Sequence, residues 1–270
     1  MYRYPVYFVN AFTRELFGGN PAAVCPLEMW LPDRTLQAIA AQHNLSETTF
    51  FVGAGNRYHL RWFTPAKEVD LCGHATLAAV HVLRGRQPET KRFIFDTRSG
   101  KLEAKVDDEG RTELNFPAYT GWEEVGPTFL SRLGETGRAV AVKSLGQPDL
   151  LIELENEAAV RAAVPVMAEL TALPYRGLIL TAPGERTDFV SRFFAPAFGV
   201  DEDPVCGSAH CLLTPYWAQK LGKTELTALQ VSQRGGELFC RLEEDRVAIA
   251  GHSRLYAQGD IALRPDDILR

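Results

Sequence analysis

"VDLCGHATLAAV", residues 69–80, decides how this 270-residue chain reads. Asp70, Cys72, Gly73 and His74 stand directly ahead of an alanine-rich apolar run, so three reactive side chains and a glycine fall where a helix begins. A helix start leaves backbone N–H groups unpaired and carries partial positive charge. Glycine lets a ligand come close to those groups. The stretch therefore suits an anionic group, such as a substrate carboxylate, held without a lysine.

The arrangement recurs. "RWFTP" (61–65) and "RFFAP" (192–196) each read as a short strand that stops at proline. The first leads to "EVDLCGHATLAAV" and the second to "DEDPVCGSAHCLL", both running from Asp through Cys-Gly into an apolar stretch. Further on, "SGKLEAKV" (99–106) and "GGELFCRL" (235–242) each pass through an acidic turn into another strand-like run, as hairpins do. "GGNPAAVC" (18–25) has a fainter counterpart in "GQPDLLIE" (146–153). Self-similarity at a spacing of about 130 residues means a duplicated half, not a short-repeat solenoid. "TLQAIAAQHNL" (35–45) and "EAAVRAAVPVMAEL" (157–170) add a further helix to each half.

Strands dominate and helices are scattered, which points to the α+β class. The boundary is expected in "FPAYTGWEEVGP", residues 116–127. That gives a first half of 1–117, completed by a returning strand in 256–270, and a second half of 128–255.

Bulk properties exclude several functions. With 46% apolar and 23% charged residues the composition is that of an ordinary soluble globular protein. A net charge of −5 lacks the basic footprint of a nucleic-acid binder, and Arg84, Arg86, Lys91 and Arg92 read as a solvated surface. No apolar run approaches the ~20 residues that span a bilayer. "MYRYPVYFVNAF" alternates like a strand and has no signal-peptide core. Five cysteines without a CxxC pair, in a chain long enough to bury its own core, lead us to expect a reducing cytoplasm.

The two helix starts are expected to share one cleft between the halves, where small-molecule sites form. Asp70 reads as a helix cap, and Asp203 stands ahead of the second helix. Cys72 and Cys206, in a first turn, would have lowered pKa values. Each cysteine alone reads as a packing residue; their matched positions make a place in the cleft an equal reading. His74 in one half is answered by Ser208 in the other. Glu47, in "NLSETTFFV", reads from composition alone as a loop or capping charge. There is no GxGxxG, GxxxxGK[ST] or HExxH. His74 and His81 have no carboxylate at ligand spacing, so no metal site is expected. Ser208 lacks a GxSxG elbow.

"GGNPAAV", "NLSETTF", "FTP…EVDLCGHATLA" and "GVDEDPVCGSAH" resemble the phenazine-biosynthesis isomerase (PhzF-like) family, in order and spacing over most of the chain. The resemblance implies two pseudo-symmetric domains, each a β-barrel-like sheet around a central helix, the fold of diaminopimelate epimerase and proline racemase. It implies an isomerase that moves a carbon-bound proton on a small amino-acid-like or cyclic unsaturated carboxylate, without metal or organic cofactor, and a homodimer. It puts the catalytic roles on Glu47, His74, Asp203 and Ser208. Glu47 would be the general base, its pKa raised by burial. His74, Asp203 and Ser208 would hold the substrate's polar groups. Cys72, Gly73, Cys206 and Gly207 would line the substrate site, with glycine N–H groups stabilising developing charge.

One position departs from the family pattern, which usually has threonine where this chain has Cys206. Cysteines at both helix starts are what the epimerases use as acid and base. A two-thiol racemase or epimerase using Cys72 and Cys206 is thus a second reading. A non-catalytic small-molecule binding or interaction protein of the same fold is a third. "GSAH" after Cys206 argues against the second, and the intact Glu47, His74, Asp203 and Ser208 against the third.

Overall fold

A computed structural model describes residues 1–125, 138–143 and 148–268; residues 126, 127, 146 and 147, which the boundary and repeat readings include, lie outside it. The chain forms two units, 1–115 with 250–270, and 116–249. Strands dominate both, and the class is mixed α+β.

The first unit runs β1 (Tyr2–Ala11), β2 (Asn20–Leu27), α1 (Asp33–His43), β3 (Glu47–Ala54), β4 (Arg57–Phe63), β5 (Glu68–Val69), α2 (Gly73–Arg86), β6 (Arg92–Thr97), β7 (Gly100–Val106) and the start of β8 (Thr112–Pro117). The returning strand β18 (Ser253–Leu263) pairs antiparallel with β1, which also pairs with β2. β2 runs parallel to β3, and β4 antiparallel to β3 and parallel to β6. Helix α2 is buried without a break from His74 to Val80 and packs on β1, β2, β3 and β18. A helix that is apolar all round belongs inside a wrapping sheet. Outside the sheet, α1 lays Leu36 and Ile39 against Phe50 and Phe63, whose rings meet edge to face at 5.6 Å.

The second unit repeats the plan. After β9 (Trp122–Val125) and β10 (Arg138–Lys143) come β11 (Pro148–Glu153), α3 (Glu157–Ala162), α4 (Met167–Thr171), β12 (Leu178–Pro183), β13 (Phe189–Ala195), β14 (Val200–Asp203), α5 (Gly207–Leu221), β15 (Glu225–Gln230), β16 (Gly236–Glu243) and β17 (Arg246–Gly251). β11 runs parallel to β12, and β13 antiparallel to β12 and parallel to β15, the scheme of β2, β3, β4 and β6. Both Arg-aromatic-Phe runs are strands that end before their proline, β4 at Phe63 and β13 at Ala195. The segment 157–170, read as one helix, is two short ones. Pro165 lies between them, and a proline disfavours helical backbone at the residue before it.

Helix α5 carries Pro215 in its interior, which leaves the Cys211 carbonyl without its i+4 donor. The backbone N–H of Tyr119 fills that place at 3.0 Å. Trp217 stacks on Phe189 at 5.8 Å and donates its indole N–H to Thr181 Oγ1 at 3.0 Å. Among the described residues, no helix is long and apolar enough to cross a membrane.

Candidate active site

In the first unit, β3 and α2 bring Glu47, Cys72 and His74 together. Glu47 opens β3, Cys72 is the N-cap of α2 in extended backbone, and His74 lies in the first turn. A hydrogen bond from Thr49 Oγ1 to the Ala75 carbonyl at 3.4 Å ties the strand to the helix start. His74 Nε2 stands 3.1 Å from Glu47 Oε2, and His74 Nδ1 stands 3.5 Å from Cys72 Sγ. The imidazole thus meets a carboxylate on one edge and a thiol on the other. The contact is an ion pair whose hydrogen-bond alignment is loose.

The protonation states follow from these contacts. Burial by itself would raise the Glu47 carboxyl, but the charge and hydrogen bonding of His74, with a contribution from Cys72, outweigh it and leave Glu47 below its usual range. The elevated pKa expected from burial is therefore not what the structure has, because an imidazole stands opposite. Burial pushes His74 down, while the groups on its two edges, Cys72 and Glu47, carry it well above the ordinary imidazole value. Burial pushes the Cys72 thiol up to about 11, so near pH 7 it is neutral and Glu47 is the anion that keeps His74 charged. The resting pair is carboxylate and imidazolium.

Glu47, Cys72 and His74 also offer oxygen, sulfur and nitrogen atoms within 4.8 Å of one another, a donor set that a soft divalent cation accepts. The closest contacts of the two partners, however, use opposite ring nitrogens, so the donors straddle the imidazole more than they converge.

Asp70 does not cap α2. Its side chain is 75% exposed and reaches toward Arg98 at 3.9 Å, two residues ahead of the true N-cap.

In the second unit, Cys206 is the N-cap of α5, followed by Gly207 and Ser208. Asp203 ends β14, and its Oδ1 accepts the Val205 N–H at 3.1 Å, turning the chain into the helix. Gln230 clamps this turn: its Oε1 accepts the Cys206 N–H at 2.8 Å and its Nε2 donates to the Asp203 carbonyl at 2.7 Å. Cys206 Sγ lies 3.3 Å from Ser208 Oγ. Burial pushes the Cys206 thiol up to about 12, with nearby Asp203 adding to the rise. The lowered thiol pKa values expected from the helix starts are thus reversed at both cysteines, because desolvation of a buried thiolate exceeds the help of the helix end.

Arg176 and Asp149 of this cluster escaped the sequence reading, as did Gln230. Arg176 grips Asp149 with two hydrogen bonds, Nε to Oδ1 at 2.9 Å and Nη2 to Oδ2 at 2.6 Å, and donates from Nη1 to Ser208 Oγ at 3.0 Å. The only signal for Asp149 is an acid heading the apolar run "LLI"; Arg176 has none beyond standing before a glycine and a strand.

Register shows why the two clusters differ. Phe63 of β4 pairs with Thr48, and Phe194 of β13 pairs with Leu178. Glu47, one residue before Thr48, therefore corresponds to Gly177. A Cβ at Gly177 would lie 2.5 Å from the Phe193 ring, so no carboxylate fits there. The first unit has a carboxylate–imidazole pair at its helix start; the second has an arginine and a hydroxyl.

Residues 9–259 match the phenazine biosynthesis-like protein family, PhzC-PhzF. The chain belongs to that family. A PhzC-PhzF relative in Pseudomonas aeruginosa, named an uncharacterized isomerase, is 55% identical over 257 residues, covering 94% of this chain and 97% of that protein. A mouse relative, phenazine biosynthesis-like domain-containing protein 2, is 40% identical over 284 residues, covering 95% and 98%. The crystal structure of a PhzF-family protein from Enterococcus faecalis superposes with a TM-score of 0.90 at 45% identity, covering 97% of this chain and all of that one. A hydroxyproline epimerase from Agrobacterium vitis, at 12% identity and a TM-score of 0.63, shares the fold.

Proposed function

We propose that this PhzC-PhzF isomerase moves a carbon-bound proton within a small amino-acid-like or cyclic unsaturated carboxylate, with Glu47 as general acid and base and without a cofactor. The observation that carries the reading is the buried Glu47–His74 pair, 3.1 Å apart at the start of α2. A carboxylate held ionised beside a fixed imidazolium is a base already in its active form.

In the step we propose, a C–H bond of the substrate breaks and its electron pair enters the adjoining π system. The proton rests on Glu47 and returns to a different carbon of the same π system. His74 keeps its charge throughout and faces the negative charge that develops. The negative charge that develops on the substrate as the proton leaves competes with Glu47 for the imidazolium, and burial then lifts Glu47 toward the pKa range of an effective base. Asp203 and Ser208 hold substrate polar groups, and Gly73 and Gly207 leave helix N–H groups approachable. Cys72 and Cys206 line the site.

The two-thiol racemase is the weaker reading, since thiols at about 11 and about 12 supply almost no thiolate near neutral pH. A homodimer by family analogy, a cytoplasmic location from cysteine usage, and no nucleic-acid or membrane partner, from charge and hydropathy, complete the proposal.

The test is turnover of amino acids, cyclic β-amino acids and cyclohexadiene carboxylates in D₂O, read by NMR for the position of the deuterium. Deuterium on a carbon that gains a hydrogen as a double bond shifts supports the isomerase. Deuterium at the α-carbon with inversion replaces it by the racemase.

A further inference from the structure

We propose that Arg176, held in place by Asp149, is the carboxylate anchor of this protein, and that it restricts the substrate to acids bearing a neighbouring ammonium group. The inference rests on the proposed isomerase only for the reaction; the binding preference is separately measurable.

The Asp149–Arg176 pair is costly to keep. Asp149 is fully buried on β11, and the Arg176 side chain is 17% exposed. Desolvating such a pair offsets its attraction, so an apolar pair of the same size would serve stability as well. The geometry suits ligand binding instead. Two bonds from Asp149 lock the guanidinium plane, and the Phe193 ring lies 5.0 Å beneath it. Three of the five guanidinium N–H groups are engaged by Asp149 and Ser208. Those that remain are aimed by the same lock.

Ser208 extends the anchor. Its oxygen already accepts from Arg176, so its own hydrogen is left to donate, either to Cys206 Sγ at 3.3 Å or to a ligand oxygen. Next to it, a Cβ built on Gly207 meets nothing within 4 Å, and its φ is not in the left-handed region. Among the described residues nothing packs against that position, so the helix N–H groups beside it stay approachable to a ligand.

Charge narrows the ligand class. Asp149 balances Arg176, and Asp203 is a second carboxylate close enough to act on the Arg176 charge. A zwitterion fits: carboxylate on Arg176 and Ser208, ammonium on Asp203. A carboxamide offers the same shape without the charge that Arg176 answers.

The experiment measures Kd by calorimetry for each acid of the D₂O panel against its primary carboxamide. Wild type, Arg176→Met, Arg176→Lys, Ser208→Ala and Glu47→Gln are compared, each checked for folding by its denaturation midpoint. Wild type should prefer acid over amide by about 10- to 100-fold, as charge-assisted bonds do. Arg176→Met should bring the preference within about 2-fold, Arg176→Lys should restore part of it, and Ser208→Ala should lower it without removing it. Exchange in the Arg176 variants should lose KM more than kcat. Glu47→Gln should keep the acid preference whether or not it abolishes exchange, which separates failure of the anchor from failure of the isomerase reading. The anchor is overturned if Arg176→Met keeps the preference, if wild type binds acid and amide alike, or if wild type binds none of the acids.

Discussion

Replacing Asp149 by asparagine tests whether the second cluster is organised around a buried charge. The substitution keeps the shape and removes the charge that faces Arg176 through bonds of 2.9 and 2.6 Å. Asp149 is 0% exposed, so little solvent is available to replace the lost partner. Removing one member of a buried pair costs about 3–5 kcal/mol, because the other charge stays buried and uncompensated. At roughly 2–4 °C per kcal/mol for a chain of this size, the midpoint should fall by roughly 6–20 °C. Arg176→Met in the same background removes the stranded charge, so the double variant should be more stable than the sum of the singles by about 1–3 kcal/mol. An internal control exists. Arg57 and Asp96 make the same two-bond contact, at 2.7 and 2.9 Å, but the Arg57 side chain is 66% exposed. Asp96→Asn should leave the midpoint unchanged, since exposed pairs contribute little. Urea and thermal denaturation by circular dichroism read every variant against wild type. A buried charge is not what organises the cluster if Asp149→Asn shifts the midpoint no more than Asp96→Asn does, or if the singles simply add.

The remaining predictions concern the first cluster and the strand beside Arg176. NMR titration of His74 should show it charged well above pH 6.5 in wild type and only to a lower pH in Glu47→Gln, where burial is opposed by Cys72 without the carboxylate. The pair's contribution to stability has two edges. The lowered Glu47 contributes above its ordinary 4.5 and is lost as pH falls through its folded value. The raised His74 contributes fully below its ordinary 6.5 and is lost as pH rises through its folded value. The wild-type midpoint minus that of Glu47→Gln should therefore peak between those two ordinary values and shrink outside them. Cys72 and Cys206 should alkylate slowly with iodoacetamide at pH 7.5 in the folded protein and rapidly after unfolding; fast native labelling would contradict their raised values. Gly177→Ala should destabilise by about 1–3 kcal/mol in urea titration, since its Cβ would enter the Phe193 ring.

What the sequence made legible is what local pattern encodes. The doubled Cys-Gly motif marked both central helices because a run such as "ATLAAV" without a polar face suits only an interior position. Proline ended β4 and β13 where the two aromatic runs predicted, since Pro cannot extend a ladder. Contacts between residues distant in sequence were not legible. Arg176 reaches Ser208 across 32 residues and Asp149 across 27, and nothing in their neighbours signals the meeting. The pKa directions were missed for the same reason: the burial of Cys72 and Cys206, and the imidazole facing Glu47, are tertiary facts. Asp70 shows the limit of capping rules, because the N-cap falls on Cys72, two residues on, and leaves the carboxylate in solvent.

Glu47, and neither thiol, is proposed to carry the proton. The decisive quantity is the rate of solvent-deuterium incorporation into whichever acid of the panel wild type turns over, in Glu47→Gln and in the Cys72→Ser/Cys206→Ser double variant. Glu47→Gln should lose incorporation by at least about 100-fold, the scale of a general acid–base contribution, while the double variant stays within about 10-fold of wild type. Incorporation that survives in Glu47→Gln and vanishes in the double variant would contradict the assignment and give the proton to the thiols.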